Sequence, residues 1–129
     1  MTKVLIVDED HSFFQEFSDR ISELAKEITV LFASSGHRAC EIFDCHYDID
    51  IIFIGGVKYF TDEINRKNLG SDWFLEHVAR PCNNHGRKDN LVVATCDNQK
   101  ESLNLIKRGC HTTAPKNQII NFVLDFLGV

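Results

Sequence analysis

The chain has 129 residues, 43% hydrophobic and 26% charged, with a formal net charge of -5. That length holds one core-bearing domain, 1–129. The acidic balance argues against a nucleic-acid surface, which needs a basic patch. No apolar run reaches membrane-spanning length, and Met1-Thr2-Lys3 before the first apolar run is too brief for a signal peptide. A cytoplasmic chain is expected, with Cys40, Cys45, Cys82, Cys96 and Cys110 reduced rather than arranged as a disulfide framework. Cys40-x4-Cys45-His46 and Cys82-x2-His85 are loose for structural zinc half-sites, and Cys40 falls on an apolar helix stripe, which favours a buried thiol.

In chain order, Val4-Leu5-Ile6-Val7 is a short apolar strand that stops at acids. Phe13, Phe14, Phe17, Ile21 and Leu24 recur at helical spacing, with Asp10 or Ser12 as cap. Ile28 to Ala33 is a second strand, Ser34-Ser35-Gly36 a turn, and His37 to Asp44 a short helix. Asp50 leads into a third strand, Ile51 to Ile54. Trp73, Phe74, His77 and Val78 sit on a helix opened by Ser71 or Asp72 and closed by Pro81. Asn83 to Gly86 is a polar loop, and Leu91-Val92-Val93-Ala94 a fourth strand. A helix through Leu103 and Ile106 ends at Gly109. Cys110 to Thr113 is a weak fifth strand, and Asn117 to Leu127 a strongly apolar final helix.

Strands apolar on both faces, alternating with helices, mean a parallel sheet covered on both sides. Five such units predict an α/β, flavodoxin-like (βα)5 three-layer sandwich of strand order 2-1-3-4-5, whose function lies at the carboxyl ends of the strands. Strand one leaves Asp8, Glu9 and Asp10 there. Such a cluster calls for a divalent cation or a lysine, or else is a solvated turn with Asp10 as helix cap. Strand four leaves Thr95, then Cys96 and Asp97; a hydroxyl there binds an anion or caps a helix. Strand five leads to Ala114-Pro115-Lys116, where the lysine neutralises the acids, holds a phosphoryl oxygen or lies on the surface. Just past strand three stand Gly55 and Gly56.

Taken together, Lys3-Val4-Leu5-Ile6-Val7-Asp8-Glu9-Asp10, Asn90 to Thr95 and Gly109 to Lys116 resemble a response-regulator receiver domain of two-component phosphorelay signalling. The resemblance covers essentially the whole chain. It implies Asp8 and Glu9 as the paired metal-binding acids, Thr95 as the site hydroxyl and Lys116 as the site lysine. The chain departs from the pattern where chemistry happens. Gly55 stands at the phosphoacceptor aspartate, Thr113 at the usual switch aromatic, and Pro115 precedes the lysine instead of following it. The loop Gly56–Leu69 is longer than the family's and carries Lys58, Tyr59, Phe60, Arg66 and Lys67. Asp50 lies at the wrong end of its strand, roughly 16 Å from Gly55 at the rise of an extended chain. Asp62 and Glu63 would need that long loop to hold them in attack geometry.

These observations lead to the expectation of a pseudo-receiver: a protein-protein interaction module of a response regulator that works without aspartyl phosphorylation. It is expected to be no enzyme, to need no cofactor and to contact neither nucleic acid nor membrane. Weak magnesium binding at Asp8 and Glu9 is compatible with this, although Lys116 is expected to turn toward the acids as a counter-ion. Partners are expected to be a protein or output domain, or a second copy through the fourth and fifth helices, with Ile119, Phe122, Val123 and Phe126 as the contact surface and the loop Gly56–Leu69 as its rival. Ending after the fifth helix suits the N-terminal part of a longer regulator. The alternatives are a small-ligand module on the same fold, or a receiver with an acceptor carboxylate from the extended loop. A flavin or dinucleotide site is disfavoured by the acids and by the lack of G-x-G-x-x-G. A thiol enzyme would rest on Cys96 or Cys110 alone, with Lys116 and His111 to lower the thiol pKa.

Overall fold

The computed structural model describes residues 2–24, 27–55, 71–95 and 99–128, with the side chains of 71–73 set aside. The loop Gly56–Leu69, and Cys96 and Asp97, lie outside the described residues.

The strands are β1 (Thr2–Val7), β2 (Ile28–Ala33), β3 (Ile51–Ile54), β4 (Leu91–Ala94) and β5 (Thr112–Thr113), all parallel in the order β2-β1-β3-β4-β5. The helices are α1 (His11–Leu24), α2 (Gly36–Cys45), α3 (Ser71–Ala79), α4 (Gln99–Lys107) and α5 (Ile119–Leu127). This is the flavodoxin-like three-layer arrangement expected from the alternation of buried strands and helices.

Strand pleating sorts the apolar residues into two cores. Leu5, Val7, Ile52, Ile54, Val92 and Ala94 face α2, α3 and α4. Val4, Ile6, Ile51, Phe53 and Val93 face α1 and α5. β3 is buried along its whole length. Each large aliphatic there contributes about 2 kcal/mol by leaving water, which is why the central strand needs no alternation.

Local signals set the element ends. The Asp10 carboxylate accepts the Phe13 N–H at 3.1 Å and caps α1. The Ser35 hydroxyl accepts the Arg38 N–H at 3.1 Å and caps α2. Gly109, at φ 125°, ends α4 and lets the Cys110 N–H reach back to the Leu105 carbonyl. The final helix differs from its expected span: Lys116–Gln118 form a 3-10 turn and α5 starts at Ile119. β5 likewise shrinks to two residues.

The opposite, amino edge of the sheet is closed by an ionic network. Asp50, 7% exposed, accepts the Lys3 N–H at 2.9 Å and the Lys88 ammonium at 2.5 Å. The Lys3 ammonium meets Asp48 at 2.8 Å. Nearby, the Arg87 guanidinium donates to the carbonyls of Phe43, His46 and Asn83 and lies 3.4 Å from the Phe43 ring centroid. It thereby ties the connection after α3 to the carbonyl end of α2.

Candidate functional site: the carboxyl edge of the sheet

β1, β3 and β4 end side by side, so the residues just past them meet. Asp8 donates its N–H to the Ala33 carbonyl at 3.0 Å, Gly55 to Val7 at 2.7 Å, and Thr95 to Ile54 at 2.9 Å. Each thus extends the ladder by one residue and is fixed by backbone rather than by side chain. Asp8 and Thr95 are 4% and 1% exposed, and Gly55 is buried. Glu9 is exposed.

The Asp8 side chain folds over Gly55. A Cβ built on Gly55 would stand 2.3 Å from Asp8 Oδ2 and 2.9 Å from its Cγ, far inside van der Waals contact. Among the described residues the glycines of positive φ are Gly86, Gly109 and Gly128, and Gly55 is not one of them. Its lack of a side chain therefore serves close approach, not backbone strain. The volume a side chain would need at this position is filled by the carboxylate of the neighbouring strand.

Two groups hold that carboxylate. Oδ1 accepts the Asp10 N–H at 2.9 Å. Oδ2 lies 3.0 Å from the Lys116 ammonium. Oδ2 is fully buried and makes no directed hydrogen bond, so the contact is an ion pair without hydrogen-bond geometry. Lys116, its side chain 27% exposed, also stands 5.1 Å above the Phe13 ring. Lys116 was expected to turn toward the acids, and it reaches Asp8. Phe13 is a participant that sequence reasoning missed: helical periodicity marked it only as core.

The described residues do not fit a magnesium ion in this arrangement. A hard cation of that size wants several oxygens in octahedral geometry. Here the inner oxygen of Asp8 is taken by an ammonium, and Gly55 supplies no third carboxylate. Among the described residues no group of three or more His, Cys, Asp and Glu is placed to hold a metal. Cys45 and Cys82 are exposed, while burial pushes the Cys40 thiol up to about 12, keeping it protonated and unreactive. Cys110 is buried.

Thr113, which the resemblance set at the usual switch aromatic, is exposed. Burial divides the expected interaction surface. Ile119 and Val123 are fully buried in the α1–α5 core. Phe122 is partly buried, its ring 5.8 Å from that of Phe53. Phe126 is 47% exposed, and on α4 Leu103 and Ile106 are 53% and 38% exposed. The helix turns about 100° per residue, and the inward side takes Ile119 and Val123, spaced i, i+4. Among the described residues no helix is long and apolar enough to cross a membrane.

No protein-family model and no curated protein matches the sequence. Solved structures do match. The N-terminal domain of an uncharacterized protein from Wolinella succinogenes aligns at TM-score 0.68 and 21% identity, over 99% of this chain and 95% of that one. Vibrio cholerae chemotaxis protein CheY4 aligns at 0.66 and 19%, over 99% and 97%. A chain from the complex of the CheA3 P1 domain with CheY6 of R. sphaeroides aligns at 0.68 and 13%, over 99% and 98%. At such identities the likeness is one of architecture, and the chain has the fold of CheY-like response-regulator receiver domains.

Proposed function

We propose that this chain is a pseudo-receiver, a signalling module that binds other proteins and takes no phosphoryl group at the receiver site. One observation carries the reading. The Asp8 carboxylate occupies the space that an acceptor side chain at Gly55 would need, and Lys116 neutralises it there. Phosphoryl transfer to an aspartate requires an exposed carboxylate oxygen held in line with the donor. Asp8 Oδ2 is buried, Gly55 has no side chain, and Asp50 serves the amino edge. The output then depends on a surface that binds another protein; among the solved structures of like fold, one is a complex of CheY6 with the CheA3 P1 domain. The outward residues of α4 and α5, namely Leu103, Ile106 and Phe126, are the apolar candidates on that side.

The test is intact-mass spectrometry after incubation with a small phosphodonor and magnesium. The expected result is an unmodified chain. Hydroxylamine-labile phosphate at near-stoichiometric yield, mapped to any aspartate or glutamate, would sink the proposal. For the partner surface, Phe126→Glu is the informative variant: Phe126 is exposed, and its replacement leaves the core intact. Phe122 packs on Phe53 and is unsuitable.

A further inference from the structure

The two edges of the sheet differ. β5 is two residues long and offers little for another strand to pair with. β2 runs for six residues, Ile-Thr-Val-Leu-Phe-Ala, with no charge, no proline and no interruption of its register with β1. Edge strands are usually guarded by one of those features, because their free N–H and C=O groups template pairing.

The ladder shows which groups face outward. In a parallel pair, a bonded residue engages the two neighbours of the residue opposite it. Thr2 is opposite Ile28, and its N–H donates to the Glu27 carbonyl at 3.1 Å. At the other end the Asp8 N–H donates to the Ala33 carbonyl at 3.0 Å. The odd-numbered residues of β2 therefore bond to β1. Ile28, Val30 and Phe32 direct their N–H and C=O groups away from it, to an edge that no strand covers among the described residues. All three are only partly buried.

We propose that this edge pairs antiparallel with β2 of a second copy of the chain, about a two-fold axis at Val30. An axis perpendicular to the sheet keeps each face on its own side, so opposed residues must share a face. Outward-pointing groups must also meet outward-pointing groups. One register satisfies both conditions for all three residues: Ile28 opposite Phe32, Val30 opposite Val30, and Phe32 opposite Ile28. Each pair exchanges two hydrogen bonds, about six in all, and one sheet runs through both copies. The side chains agree with it. Ile28, Val30 and Phe32 all lie on the α1–α5 face, where Phe32 stacks on Phe14 at 4.6 Å and meets His11 edge-on at 5.4 Å. Pairing joins the two apolar rows into one and sets aromatic against β-branched side chains, a favourable cross-strand combination. With no charge on the strand, the axis brings no like charges together. A second copy supplies this match by symmetry; a foreign strand would need its own.

The test is sedimentation of the wild type from dilute to concentrated solution, with amide hydrogen exchange under the same conditions. The expected mass rises toward twice 14.8 kDa. The amides of Ile28, Val30 and Phe32 become protected with concentration, while those of Thr29 and Leu31 are protected throughout. Val30→Pro removes an N–H that β1 does not use, a change edge strands tolerate, and is expected to give a folded monomer. Val30→Lys is a second variant with the same expectation, should the proline disturb the fold. A wild type that stays monomeric overturns the proposal. So does a dimer whose Ile28, Val30 and Phe32 amides exchange as in the monomer, or one that survives both Val30 variants and dissolves with Phe126→Glu, which would place the contact on α4–α5.

Discussion

Asp8 and Asp50 sit at opposite ends of the same sheet, both buried and both beside a lysine, yet they are held differently. Asp50 has both oxygens met: one by the Lys3 N–H at 2.9 Å, the other by Lys88. It joins the starts of β1 and β3 to the segment before β4. Asp8 has one oxygen on the Asp10 N–H, while the other lies toward Gly55 and pairs with Lys116 without hydrogen-bond geometry. A fully satisfied buried carboxylate reads as a structural joint. One lying against a glycine and paired with a partly exposed lysine is held less completely, and its position depends on the side chain that Gly55 lacks.

Substitutions should separate the two. Asp50→Ala leaves the Lys3 N–H without its acceptor in a buried place, at a cost of about 2–3 kcal/mol. A fall in Tm of roughly 10 °C is the outcome to check by thermal melting. A change near zero would mean that Asp50 is no joint. Gly55→Asp comes next. The new Cβ must drive the Asp8 carboxylate off the glycine, which frees it from Lys116, and the new side chain adds a third carboxylate beside Asp8 and Glu9. Magnesium affinity, read by calorimetry, should then rise about tenfold or more, a gain of about 1.4 kcal/mol. Unchanged affinity in a folded variant would count against this edge as a former cation site.

Asp8→Ala should cost less than Asp50→Ala, under about 1 kcal/mol. Lys116 is already partly exposed and can swing into water, and the Asp10 N–H is near solvent. If Asp8→Ala unfolds the chain, the contrast fails. The smallest effect is on pH. The Lys3 ammonium, hydrogen-bonded to Asp48, holds that carboxyl below its usual range, so its contribution is present above the ordinary aspartate pKa and lost as pH falls through the lowered value. Hydrogen bonding to Asp50 holds Lys88 above the usual lysine range; its contribution is full below the ordinary lysine pKa and lost as pH rises through the raised value. Both groups are exposed and screened by salt. Melting curves should therefore be nearly flat between these limits, and Asp50→Asn should flatten the alkaline limb further.

Much of the fold was legible from local pattern. β2, β3 and β4 appear with the bounds their apolar runs predict, because β-pairing buries continuous short runs whatever their partners. The placement of Asp8, Gly55, Thr95 and Lys116 around one edge was equally readable, since each stands a fixed step beyond a strand or in the turn before a helix. The start of α5 was not: Lys116–Gln118 close as a tighter turn, and helix boundaries are poorly specified by periodicity. Nor was the inward turn of Ile119 and Val123. On so apolar a helix every direction looks like core, and only the sheet beneath decides which side is covered.

The sequence by itself determined the layer order, the strand that ends at Gly55, and the lysine that comes to Asp8, because these follow from periodicity and step counts along the chain. Only the tertiary structure decided that the Asp8 carboxylate lies over Gly55, that Asp50 locks the opposite edge, and that Ile28, Val30 and Phe32 turn their backbone outward. Those facts depend on which volume is left empty and which hydrogen bonds are already used, and both quantities exist only once distant segments have packed together.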